Sequence, residues 1–109
     1  MLNRNDLPES NFWDFFIQLN DIPRASKKEE AACSFVRAFA SERNLEIKED
    51  EAGNLLICKP ASPGMEDRPI VALQGHLDMV HQKNASVAFD FATEGIRMKV
   101  DGAWLKAEG

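Results

Sequence analysis

The residues best placed to do chemistry are His76 and Asp78, in Gln74-Gly75-His76-Leu77-Asp78-Met79-Val80, directly after the apolar run Ile70-Val71-Ala72-Leu73. Four apolar residues in a row, two of them β-branched, predict a short strand buried on both faces. Arg68-Pro69 just ahead of it fits a strand entry. In open α/β sheets, ligands bind beyond the carboxyl ends of the strands, and that is where this histidine and this carboxylate fall. In extended chain, residues i and i+2 face the same way, about 6.5 Å apart. His76 and Asp78 can therefore touch while Leu77 turns into apolar packing. A carboxylate on one ring nitrogen fixes the tautomer of an imidazole and makes the other nitrogen a better metal ligand. The functional reading is His76 as ligand and Asp78 as its orienting partner. The plain reading is a hydrogen-bonded polar pair at a strand end. His-x-Asp alone leaves both open.

The elements that must position this pair can be read along the chain. Ser10-Asn11 followed by Phe12, Phe15, Phe16 and Leu19 is a helix start with an apolar stripe at helical spacing. Asp14 lies in its first turn, favourable for the helix dipole. The helix should stop near Asn20-Asp21, because Ile22 precedes Pro23. The stripe is expected to be core, since the polar face lacks the lysines of a membrane-surface helix. Ser26 and Glu29 form a capping box, and Ala32, Phe35, Val36 and Phe39 make a second stripe, predicting a helix over residues 27–43 with Asn44 as its end. Cys33 falls off that stripe and is expected on its flank.

Leu45-Glu46-Ile47-Lys48-Glu49-Asp50 alternates as a half-exposed strand does, and Leu55-Leu56-Ile57-Cys58 reads as a more buried one. Gly53, available for positive φ, sits in the turn that makes them a β-hairpin. Residues 60–68 are loop. Past Val80, residues 81–86 are polar loop. Ile96-Arg97-Met98-Lys99-Val100 and Ala103-Trp104-Leu105-Lys106 flank Asp101-Gly102, a strong hairpin signal. The predicted order is helix, helix, hairpin, buried strand, loop, hairpin: an α/β class.

Composition narrows the function. A length of 109 residues is one small domain, and 44% hydrophobic with 28% charged residues is ordinary for a soluble globular chain. A formal charge of −5, with basic residues scattered, argues against a nucleic-acid partner. No apolar run has the ~20 residues of a membrane span, and residues 1–6 lack the apolar core of a secretion signal. No membrane partner is expected, and the expected location is the cytoplasm. Cys33 and Cys58 have no C-x-x-C spacing, so reduced thiols are the expectation.

At this point the residues resemble a family. Gln74-Gly75-His76-Leu77-Asp78-Met79-Val80 with Gln82-Lys83-Asn84 is similar to the first metal motif of the aminoacyl-histidine dipeptidases, also called cytosol non-specific dipeptidases, a branch of the di-zinc aminopeptidase-like hydrolases. Gly53-Asn54-Leu55-Leu56-Ile57, Lys59-Pro60-Ala61 and Pro63-Gly64-Met65-Glu66 fit it upstream. Downstream, Asp90-Phe91, Asp101-Gly102-Ala103-Trp104-Leu105-Lys106-Ala107 and Gly109 fit it too. One departure is His81, where such enzymes commonly have proline; His81 reads as an exposed loop residue and not as a ligand.

The resemblance implies the amino-terminal part of a zinc-aminopeptidase-like three-layer α/β/α domain, with the lid or dimerisation domain and the rest of the catalytic domain lying elsewhere. It implies His76 as a ligand to one of two zinc ions, other divalent metals being compatible, and Asp78 as the catalytic aspartate that orients it. The bridging aspartate would follow Gly109 in a Gly-Ala-Asp-Asn-Gly-like segment, and the general-base glutamate would come later still. The implied reaction is hydrolysis of unblocked dipeptides, of the Xaa-His type, by a metal-activated water. A homodimer is compatible with the intact enzyme.

Ligand counting points the same way without the family. A catalytic zinc takes about three protein ligands and a water, and a two-metal site needs more. Two histidines in one loop and no His-Glu-x-x-His cluster do not supply them. The 109-residue piece alone is therefore expected to be inactive. The competing readings are a non-enzymatic α/β interaction domain or truncated relic, and a thiol-based redox or metal sensor using Cys33 and Cys58.

Overall fold

The computed structural model describes residues 2–109. A 3-10 turn at Arg4–Asp6 is followed by helices α1 (Asn11–Asn20) and α2 (Glu30–Glu42), then strands β1 (Glu46–Glu49), β2 (Leu55–Cys58), β3 (Met98–Asp101) and β4 (Trp104–Ala107). Helices and antiparallel hairpins in this order make the expected α/β class. The chain forms two compact units: one of the residues up to Ala32 together with Asp78–Gly109, the other Cys33–Leu77.

In the first unit, α1 starts where Ser10 accepts a hydrogen bond on Oγ from the Phe12 N–H at 3.2 Å, an N-cap. The helix ends at Asn20, before the Ile22-Pro23 step. Its apolar stripe is less covered than expected: Phe12 is 61% and Phe16 37% exposed, and Phe15 and Leu19 are half-buried. The rings instead contact one another, with Phe12 edge-on to Trp13 at 5.1 Å and stacked on Phe16 at 5.9 Å. The buried residue of α1 is Asn20. Burial concentrates there because this end of the helix meets the return of the chain. The Ile96 N–H donates to the Asn20 carbonyl at 2.7 Å, and Gly95 lies so close that a Cβ on it would stand 2.4 Å from the Asp21 carbonyl oxygen.

The second hairpin closes this unit. β3 and β4 pair antiparallel with Val100 opposite Leu105 and Asp101 opposite Trp104. The loop between them is Gly102-Ala103, with Gly102 at φ 60°, the positive angle a two-residue hairpin turn requires.

Helix α2 begins later than residue 27, and the Ser26–Glu29 capping box does not form. Lys27 has φ 69°, a left-handed conformation that a helix cannot pass through. The Lys28 N–H closes a turn on the Ala25 carbonyl at 2.8 Å, and Glu29 accepts from the Lys27 N–H. The Ser26 hydroxyl is engaged elsewhere, as described below.

The carboxyl end of α2 lies in the second unit and matches its signal. Asn44 takes φ 53°, its N–H donates to the Ser41 carbonyl at 3.0 Å, and the Leu45 N–H donates to the Ala40 carbonyl at 3.0 Å. This is a Schellman motif with asparagine in the left-handed position. Cys33 is buried, 8% exposed, and not on a flank. It lines up with Val36 and fully buried Ala40 at i, i+3 and i+7, so the small side chains carry the covered face of α2. β1 and β2 pair antiparallel with Ile47 opposite Ile57. Gly53 has φ 85° in the turn. Arg37 of α2 grips Glu49 of β1 through both Nε and Nη2, at 2.9 and 2.7 Å.

The largest departure concerns residues 70–73, predicted as a strand buried on both faces. They form no strand: Ile70 is 98%, Val71 80% and Leu73 95% exposed. A doubly buried strand needs a neighbour on each edge and a layer on each face. Among the described residues, the four strands pair only within their own hairpins.

Candidate active-site loop

The loop after the exposed run re-enters the first unit at Asp78. Met79 makes an isolated parallel β-bridge with Ala25, and its N–H donates to the Arg24 carbonyl at 2.8 Å. This short parallel contact ties the chain following the His-x-Asp pair to the segment linking α1 and α2. Beside it, the Ser26 hydroxyl donates to Asp78 Oδ2 at 2.6 Å, although the two residues are 52 positions apart. A distance of 2.6 Å is that of a charge-assisted O–H···O⁻ bond. Both side chains are half-buried.

Arg24 supplies the charge on this side. It is only 8% exposed, and its Nη2 donates to Asn20 Oδ1 at 2.6 Å; Asn20 in turn donates from Nδ2 to the Phe16 carbonyl at 2.8 Å. Burial pulls the Arg24 pKa down, and the negative charge of Asp78 opposes that. Two hydrogen-bonded pairs, Asn20 with Arg24 and Ser26 with Asp78, thus lie between the end of α1 and the loop, with Arg24 within electrostatic reach of Asp78. A cavity of about 230 Å³ beside it is lined largely by apolar side chains, among them Ile22, Met79, Val87, Phe89 and Phe91.

The structure places His76 in the exposed stretch that ends the second unit. Asp78 accepts the Ser26 hydroxyl on Oδ2. His81 is exposed, its ring edge-on to Phe91 at 6.0 Å, which suits a loop packing role. Cys33 and Cys58 are free thiols. Among the described residues, no three His, Cys, Asp or Glu side chains gather as a ligand group. A histidine ring and a carboxylate are donor types that suit a divalent metal, and these two residues by themselves are fewer than the about three protein ligands a catalytic zinc takes. Among the described residues, no helix is long and apolar enough to cross a membrane.

Reading the sequence missed Ser26 and Arg24. Ser26 carries a helix-cap signal, and nothing in its spacing points to a partner so far away; Arg24 is an arginine after a proline with no periodic pattern around it.

This α/β chain with its His-x-Asp loop is similar to dipeptidases in both sequence and backbone. It is 40% identical, over all 109 residues, to the cytosol non-specific dipeptidase of Escherichia coli (strain K12), and spans 22% of that protein. Its backbone matches the crystal structure of the aminoacylhistidine dipeptidase from Vibrio alginolyticus with a TM-score of 0.91 and 39% identity, covering 99% of this chain and 22% of that one. No family model matches the chain. The resemblance read from the motifs is thus borne out: the chain is homologous to part of an aminoacyl-histidine dipeptidase, and it spans about a fifth of the length of these relatives.

Proposed function

We propose that this chain is the amino-terminal portion of the catalytic domain of a metal-dependent dipeptidase and carries the first of its metal ligands. What supports this most is the match over the whole chain, in sequence and in backbone, to proteins named as dipeptidases. On this reading His76 holds one of two divalent ions, zinc or a similar metal. When bound, the metals supply polarisation of the scissile carbonyl and a water acidic enough to attack it. The chain's own residues prepare that chemistry. His76 offers an exposed imidazole nitrogen, which must be neutral to act as a ligand. Asp78 would accept a hydrogen bond from the N–H of that ring, and so select its tautomer and raise its basicity. Ser26 donates its hydroxyl to the Asp78 carboxylate, with the Arg24 charge nearby. The substrates are unblocked dipeptides, Xaa-His among them, and the general base and remaining ligands come from a longer polypeptide of which this chain is one part.

The test is to read the gene past the codon for Gly109 and to assay both products on an unblocked Xaa-His dipeptide with zinc. A Gly/Ala-Asp-Asn-Gly segment is expected in frame, with hydrolysis by the longer product and none by the 109-residue chain. Hydrolysis by the short chain, or a longer product inert on such dipeptides, overturns the proposal. The exposure of Ile70, Val71 and Leu73 supports a second reading, a non-enzymatic docking domain. That reading requires no such segment and no turnover from any longer product.

A further inference from the structure

Residues 70–75 combine an accessible backbone with accessible apolar side chains. Ile70, Val71 and Leu73 are almost fully exposed. Among the described residues, none hydrogen-bonds to the backbone of residues 70–75. We propose that this segment is a cleavage site for endopeptidases that select a large apolar side chain, cut at Leu73–Gln74 and closed to endopeptidases of the trypsin type, and that the first unit keeps the two pieces together afterwards. The step is a hydrolysis. The peptide C–N bond breaks, the hydroxyl of water joins the Leu73 carbonyl carbon, and its proton goes to the Gln74 nitrogen, leaving a carboxylate and an amine. Nothing in it depends on the proposed catalytic role of the chain.

An endopeptidase takes its substrate as an extended strand, through backbone N–H and C=O groups. Chain whose own groups are paired must first open, at a cost in free energy. That separates Leu73 from the other exposed large apolar residues. Phe12 lies in α1, Leu56 in β2 and Trp104 in β4. Met65 is tied into turns: its N–H donates to the Ser62 carbonyl at 2.9 Å, and its carbonyl accepts from the Arg68 N–H at 3.0 Å. The trypsin type fails for a different reason. Residues 59–76 are all exposed, but the basic ones among them, Lys59 and Arg68, are each followed by proline. The ring fixes φ and leaves no N–H on the departing nitrogen, so these bonds are poor substrates. The pieces hold together because the first unit is built from chain on both sides of the cut. The Ile96 N–H on the Asn20 carbonyl, the Met79 N–H on the Arg24 carbonyl and the Ser26 hydroxyl on Asp78 all join one piece to the other.

The experiment is limited proteolysis of the dilute 109-residue chain with chymotrypsin and with trypsin, the early products read by mass spectrometry and by native size exclusion. Chymotrypsin is expected to give 1–73 and 74–109 first, and the two should elute together until denaturant is added. Leu73→Glu should slow that cut by about tenfold or more, since the apolar side chain is what the protease pocket reads. Pro69→Ala should make the bond after Arg68 the first that trypsin cuts. Val71→Lys, which also opposes self-association, should open the bond after position 71 to trypsin in the same way, so that shielding by a second copy does not mask the site. First chymotrypsin cuts after Phe12, Leu56 or Trp104 overturn the proposal. So do Pro69→Ala and Val71→Lys chains that trypsin opens first at other basic residues, and so do pieces that part without denaturant.

Discussion

At the scale of single residues, the chain invests in one carboxylate. Asp78 receives a hydroxyl donor 52 positions away and sits near a buried guanidinium. If the proposed function holds, Asp78→Ala in the longer polypeptide is expected to lower zinc affinity or turnover by roughly 10–100-fold, the usual effect of losing the partner that orients a metal-bound histidine. Zinc calorimetry and dipeptide kinetics measure it, and unchanged values would remove Asp78 from the site. Gly95 makes a stability case. A methyl group there would lie 2.4 Å from the Asp21 carbonyl oxygen, a backbone atom that cannot swing aside. Gly95→Ala is expected to cost about 1–3 kcal/mol, as overpacking does, read from the denaturation midpoint. The His76–Asp78 pair was nominated from residue type and i, i+2 spacing, which are local. Ser26 was not, because its partner Asp78 is brought to it where Ala25 and Met79 form a parallel bridge that no local pattern encodes.

At the scale of elements, legibility follows how local the interactions are. The ends of α1, the Asn44 terminus of α2 and both hairpin turns were readable because each is settled within a few residues by a cap, a left-handed position or a glycine. Residues 70–73 were misread because apolar composition states only that burial is wanted; neighbours decide whether it happens. The start of α2 was misread because two uses of Ser26 competed and the distant one prevailed. The caps give a direct test: Ser10→Ala removes the acceptor for the Phe12 N–H and should destabilise the first unit by about 1 kcal/mol. The first hairpin gives a pH test. Asp50 accepts from the Asn54 side chain and from the Ala52 and Asn54 N–H groups, and these bonds, the Asn54 side chain foremost, hold its pKa below the ordinary 3.8. A depressed carboxylate stabilises the fold above its unfolded pKa and loses that stabilisation as pH falls through its folded one. Loss of amide protection at Ala52 and Asn54, measured relative to the intrinsic exchange rate at each pH, is therefore expected below about pH 3.8 and not above it, and Asp50→Asn should flatten the profile.

At the scale of the whole molecule, the question is what four consecutive apolar residues do without a sheet around them. Ile70 is 98%, Val71 80% and Leu73 95% exposed, with no strand paired to their backbone among the described residues. Such a segment offers both a hydrogen-bonding edge and an apolar surface, the combination that drives strand addition between chains. The net charge of −5 opposes association but is spread over the chain. Two flanking positions, Arg68 and His76, are too far from the centre of the run to interrupt it. The purified 109-residue chain is accordingly expected to self-associate, with an apparent mass that rises with concentration in sedimentation velocity. Val71→Lys should bring that mass back towards the monomer value, because a lysine in the middle of an exposed edge both solvates it and repels a second copy. The substitution should leave the denaturation midpoint nearly unchanged, since a side chain that is 80% exposed contributes little to the fold it sits on. A chain that stays monomeric at high concentration would mean that the run is covered in solution in a way its exposure here does not represent.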